Sequence, residues 1–149
     1  MRMRIALPLA AIAGVSVFAI AGANAEDGGR RFTVLMTGAL ERPGPGDADG
    51  AGTAVFLVNA GQRRICYTLA VQDIEPAVAA HIHRAPTTLP GPVVVPLEAP
   101  TDGNSENCTT VTRELAQEII RSPTSFYVNV HNAPFPAGAI RGNLTRSPN

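Results

Sequence analysis

Runs of alternating apolar and polar residues, each closed by glycine or proline, make up most of the chain beyond residue 25. Fourteen glycines and thirteen prolines among 149 residues leave room only for short elements, because proline removes a backbone donor and glycine favours turns. Phe32, Val34 and Met36 alternate with Thr33, Leu35 and Thr37 ahead of Gly38, which reads as a strand with apolar residues on both sides. The Pro/Gly-rich stretch Arg42 to Gly50 is a surface loop. Gly52 to Asn59 and Arg64 to Asp73 are β-rich runs separated by Ala60-Gly61-Gln62-Arg63, the length and chemistry of a hairpin connection. In the second run Ile65, Tyr67, Leu69 and Val71 share one face, which assigns Tyr67 to the core.

Further along, a short strand is expected at Ala79 to His83, then a Pro/Gly-rich connection from Pro86 to Pro92 and an edge strand at Val93 to Val95, bracketed by prolines. Pro100 to Asn107 reads as polar loop. Thr112 is placed to cap a helix over Arg113 to Arg121, with Leu115 and Ile119 at i and i+4 and Ser122-Pro123 as its stop. Phe126 to His131 and Ala139 to Leu144 are the closing strands. Many short strands, regular turns and one short helix predict an all-β domain: a Greek-key, immunoglobulin-like β-sandwich, with a barrel as the related alternative.

Met1-Arg2-Met3-Arg4 is a positive n-region, Ile5 to Ile20 is uncharged and apolar, and Ala23-Asn24-Ala25 is an A-x-A cleavage site. Residues 1–25 therefore read as a signal peptide cleaved after Ala25, leaving one domain at 26–149 with its core at about 32–144. A membrane anchor is the alternative, but the run is short for a span and no basic flank follows it. The expectation is a secreted or periplasmic protein with no membrane span in its mature form and no cysteine near the cleavage site to carry a lipid. Twelve basic and twelve acidic residues balance in the chain; losing Arg2 and Arg4 leaves a charge of about minus two, which argues against nucleic acid as a partner. The only two cysteines, Cys66 and Cys108, are expected to pair as a disulfide in an oxidising compartment.

Two of the three histidines form the triplet His81-Ile82-His83, and on a strand both point to one side about 6.5 to 7 Å apart. The third, His131, shares a strand face with Tyr127 and Asn129, opposite Phe126, Val128 and Val130. All three leave the apolar faces of their strands. If the strands are neighbours, His81, His83 and His131 offer copper or zinc three neutral imidazoles, with Asn129 and Arg141 close by. The competing reading has the histidines bonding loop backbone, and Arg141 pairing with a carboxylate. Asp47 and Asp49 resemble the start of a calcium loop, but the run continues into Thr53-Ala54-Val55-Phe56 without the needed oxygen ligands. No nucleophile elbow, catalytic cysteine or phosphate loop is present in the sequence, so hydrolase and nucleotide readings lack support.

Ala80-His81-Ile82-His83, Gly91-Pro92-Val93-Val94, Tyr127-Val128-Asn129-Val130-His131 and Phe135-Pro136-Ala137-Gly138-Ala139-Ile140-Arg141-Gly142-Asn143-Leu144 together resemble the CHRD (chordin-type) domain family, in order and spacing from about Phe32 to Leu144. Where that family commonly has Pro-x-Gly-Glu-Ile-Arg-Gly-Gln, Ala139 replaces the acid and Asn143 the glutamine, so an acidic contribution there is in doubt. The resemblance implies an extracytoplasmic β-sandwich module for which no general enzymatic activity is established. A looser likeness, to copper/zinc superoxide dismutases, rests on the His-x-His strand and the disulfide; three histidines fall short of that enzyme's two metal sites, and a shared fold does not transfer chemistry. The expected function is an exported, non-enzymatic binding domain whose His81, His83 and His131 cluster either organises a recognition surface or holds a copper or zinc ion. The rivals are an adhesive envelope module binding protein or polysaccharide without metal, and a metal-dependent redox enzyme.

Overall fold

The computed structural model describes residues 28–147; the leader expected at residues 1–25 lies outside them. Nine strands follow in chain order: β1 (Arg30–Thr37), β2 (Ala51–Asn59), β3 (Arg64–Gln72), β4 (Ala77–Arg84), β5 (Val93–Leu97), β6 (Asn104–Thr110), β7 (Phe126–Asn132), β8 (Ile140–Asn143) and β9 (Thr145–Arg146). One helix, α1 (Arg113–Arg121), precedes β7. All pairings are antiparallel, and hydrogen bonds link the strands in the order β5-β4-β7-β8-β1-β2-β3-β6, with β9 added to β1.

The domain is thus all-β with one short helix, as the sequence predicts. The strands form one continuous sheet, rather than the two separately bonded layers of an immunoglobulin-like sandwich, and it curls nearly shut into a barrel. Glu98, just past β5, draws the two edges together. Its N–H donates to the Tyr67 hydroxyl of β3 (2.8 Å), its carbonyl accepts from Ser105 of β6 (2.9 Å), and its carboxylate accepts from Asn107 of β6 (2.9 Å).

Period-2 alternation fills the interior. Phe32, Val34 and Met36 of β1 meet Phe56 and Val58 of β2, Ile65 and Leu69 of β3, Ile82 of β4 and Val128 and Val130 of β7, all buried. Burying such a side chain fully contributes about 1.5–3 kcal/mol. Leu35 is 76 % exposed, so β1 is apolar-in and solvent-out rather than buried on both sides. Helix α1 starts where expected: the Thr112 hydroxyl accepts from the Leu115 N–H at 3.1 Å, a cap worth about 1 kcal/mol. Ala116 and Ile119 of α1 face the core. At Gly142 a Cβ would stand 2.1 Å from the Leu35 carbonyl, so only glycine lets β8 lie this close to β1.

A further expectation needs correction. Asn104–Thr110, largely assigned to a polar loop from sequence, is strand β6. Its residues show no apolar alternation because β6 is an edge strand exposed on most of both faces. Backbone pairing to β3 holds it instead, together with the disulfide between the register partners Cys66 and Cys108. Among the described residues no helix is long and apolar enough to cross a membrane.

Candidate metal centre

β4 and β7 are neighbours, as convergence of the histidines requires, and their register sets His81 opposite Asn129, His83 opposite Tyr127 and Ala79 opposite His131. Because side chains alternate across a strand, His81, His83, Tyr127, Asn129 and His131 all stand on the face away from the barrel core. That face is covered too. Gly38 to Gly50, Ala85 to Pro92 and Ala133 to Ala139 are the connections around it, and His83, Tyr127 and Asn129 are buried. The histidines leave the main core, as expected from the sequence, but His83 enters a second interior and is only 8 % exposed.

One ring nitrogen from each of His81, His83 and His131 lies within 4.8 Å of the other two, and among the described residues these are the three side chains placed to hold a metal ion. His81 Nδ1 and His131 Nε2 are 3.2 Å apart. Two nitrogens at that spacing, each about 2.0–2.1 Å from a shared zinc ion, subtend an angle of about 103°, close to tetrahedral, whereas a separation of 4.8 Å exceeds the roughly 4.2 Å that two such bonds can span, so the third ring must turn inward to bind the same ion.

The far nitrogens fix the orientation of two of the rings. His83 Nδ1 donates to the Gly91 carbonyl at 2.8 Å, and His131 Nδ1 donates to the Pro136 carbonyl at 3.1 Å. With Nδ1 protonated in a neutral ring, Nε2 carries the lone pair, the arrangement that metal-ligating histidines use. His83 Nε2 is buried without a hydrogen-bond partner, whereas His131 Nε2 has two, Asn129 Oδ1 at 3.1 Å and His81 Nδ1 at 3.2 Å; with Nδ1 protonated in a neutral ring, the Asn129 amide must turn to present its N–H₂ instead. Burial holds all three imidazoles below their ordinary pKa. For His81 the neighbouring histidines lower it further, while the Gly91 and Pro136 carbonyls partly oppose the shift at His83 and His131. Neutral rings are the form that binds metal.

Beneath the cluster lies a stack that sequence reasoning did not foresee. The Tyr127 ring is parallel to His83, with centroids 4.6 Å apart and planes 7° from parallel, and the Arg141 guanidinium carbon sits 3.9 Å from the Tyr127 centroid. Arg141 Nε donates to Glu41 at 2.9 Å, and both side chains are 2 % exposed. The remaining guanidinium nitrogens donate to the Thr87, Leu89 and Arg42 carbonyls. Arg141 therefore ties two covering loops to β8. Burial raises the Glu41 carboxyl above its ordinary range, against the pull of Arg141, and Oε1 has no partner. Gly138, at φ +143°, makes room for that carboxylate, since a Cβ there would lie 2.3 Å from Oε1.

Ala139 left the local acid in doubt; the acid comes instead from Glu41, 100 residues away in sequence. The signal that points to it is the isolated cation in a strand whose neighbours are buried, which requires a carboxylate from elsewhere. Asp47 and Asp49 stand apart from the cluster, in a turn closed by the Asp49 N–H on the Asp47 carboxylate.

No curated protein and no solved structure matches the chain. The family model described as the CHRD domain matches residues 32–144. That span runs from the first inward phenylalanine of β1 to the leucine that follows β8, and it contains the three histidines, the Tyr127 stack and both members of the buried ion pair. The histidine-bearing barrel is the body of the matched region, and the chain belongs to the CHRD domain family.

Proposed function

We propose that this protein is an exported, non-enzymatic binding domain that holds a copper or zinc ion through His81, His83 and His131. The observation that carries the reading is the His83 Nδ1 bond to the Gly91 carbonyl, which leaves a buried, unpartnered Nε2 lone pair beside the rings of His81 and His131. A purely structural histidine cluster has no need of a buried, unpartnered Nε2 at its centre. Three neutral nitrogen donors suit copper or zinc better than calcium or magnesium, which take oxygen ligands. The non-enzymatic part rests on Arg141, whose guanidinium nitrogens are all engaged by Glu41 and loop carbonyls and so do not face an incoming substrate. Export accords with the disulfide, which persists in oxidising compartments.

The test is titration of metal-free, disulfide-intact protein with zinc and, separately, with copper, followed by thermal unfolding. One equivalent is expected to raise the unfolding temperature, with a stabilisation of about 2.7 kcal/mol at a free-metal concentration of roughly 100 times Kd. In His83→Ala the shift should vanish. Wild-type protein with no saturable shift for either metal refutes the reading.

A further inference from the structure

We propose that the end of the barrel beside α1 is a binding face for acidic polysaccharide, a site separate from the histidine cluster and independent of its metal. The near-zero formal charge of the chain conceals a strong polarity. The antiparallel registers put the starts of β1, β3 and β7 and the ends of β2, β4 and β6 at one end: Arg30 lies opposite Val58, Arg64 opposite Asn59 and Thr110, and Arg84 opposite Phe126. Six exposed arginines gather there: Arg30, Arg31, Arg63, Arg113, Arg121 and Arg146. None of them is ion-paired among the described residues; the acids of α1 are Glu118, which is bonded to Arg84, and Glu114. Glu26 and Asp27 precede the described residues. The opposite end holds Asp47, Asp49, Asp73, Glu75, Glu98 and Asp102 in its loops.

Within the basic end a cleft of about 750 Å³ is lined by Arg30, Arg31, Asn59, Arg146 and Ser147, and among the described residues no carboxylate lies in its wall. Guanidinium groups present paired donors that match a carboxylate or sulfate. Two other polyanions fit the cleft less well. Among the described residues no aromatic side chain lines it, so bases have no stacking platform there. Helix α1 turns Ala116 and Ile119 into the core and offers no apolar face for insertion into a bilayer.

The experiment measures binding of disulfide-intact protein to polygalacturonate, with neutral dextran as the comparison. Affinity is expected to fall about tenfold or more as salt rises from roughly 50 to 200 mM, as for other polyanions held by several cationic contacts. Arg30→Gln/Arg31→Gln/Arg146→Gln should weaken low-salt binding by about tenfold or more, while Asp73→Asn/Glu75→Gln at the far end leaves it within about twofold. If the triple variant does not fold, Arg31→Gln alone, at a side chain with no hydrogen bond in the structure, should give a loss of about threefold. No binding at low salt overturns the proposal, as does an equal loss in the far-end variant. Tighter binding to duplex DNA or to anionic-lipid vesicles than to polygalacturonate overturns it in favour of that polyanion.

Discussion

Arg141 and Glu41 carry opposite charges in a place where neither meets water, and each depends on the other. Removing one partner of such a pair leaves a bare buried charge and typically costs 3–5 kcal/mol. Arg141→Met also forfeits the stack on Tyr127 and the bonds to the Thr87, Leu89 and Arg42 carbonyls. Urea unfolding of Arg141→Met should show a loss of about 3–5 kcal/mol, and a loss under about 1 kcal/mol would contradict the anchoring role assigned to it. The raised pKa of Glu41 has a consequence of definite sign. A carboxyl whose folded pKa lies above its unfolded value stabilises the fold fully below the unfolded pKa and loses that contribution as pH rises through the folded pKa. Wild-type stability, measured against the non-titrating Glu41→Gln, should therefore decline as pH rises from about 4.5, the unperturbed value. A relative gain over the same range would mean that Arg141 outweighs burial.

Among the elements, β6 depends least on apolar burial. It lies at the sheet edge with no apolar face, held by its ladder to β3 and by the Cys66–Cys108 bond that closes a sequence separation of 42. The chain-entropy model assigns a loop of that length about 4 kcal/mol. Cys66→Ala/Cys108→Ala should lose roughly that amount in denaturant unfolding and still bind metal, since β3 and β6 contribute nothing to the cluster. Loss of metal binding by the folded double variant would show the two regions to be coupled. At the β7–β8 connection, Gly138→Ala should lower stability by more than about 1 kcal/mol, because the residue would carry a Cβ at positive φ against the Glu41 carboxylate. Thermal unfolding checks this.

The same contrast explains which parts of the fold were legible in the sequence. β1, β2, β3 and β7 have alternating apolar residues that must face a core, and α1 has a threonine cap and a proline stop; these are local signals. β6 is specified by its partner strand, so Asn104 to Asn107 read as loop. The histidines were visible as a triplet and a single residue, but their meeting depends on the β4–β7 register, which no local pattern encodes. Glu41, Gly91 and Pro136 complete the site from loops far apart in sequence. They are chosen by the geometry of the closed sheet rather than by their own neighbours.

Over the whole molecule, one curled sheet separates three tasks. Its inside is the hydrophobic core, its outer β4–β7 face beneath the loops carries the imidazoles, and its two ends carry opposite charge. The placement of the three histidines on strands favours a rigid cluster, because two of the three rings stand on β4 itself and the third on its hydrogen-bonded neighbour. The claim that most needs a direct answer is that this face holds copper or zinc. Elemental analysis of the protein, purified without chelator or an affinity-tag histidine run, should find close to one equivalent of copper or zinc in the wild type and almost none in folded His81→Ala/His83→Ala. Wild-type protein free of both metals, or a variant that retains its metal, would contradict the account.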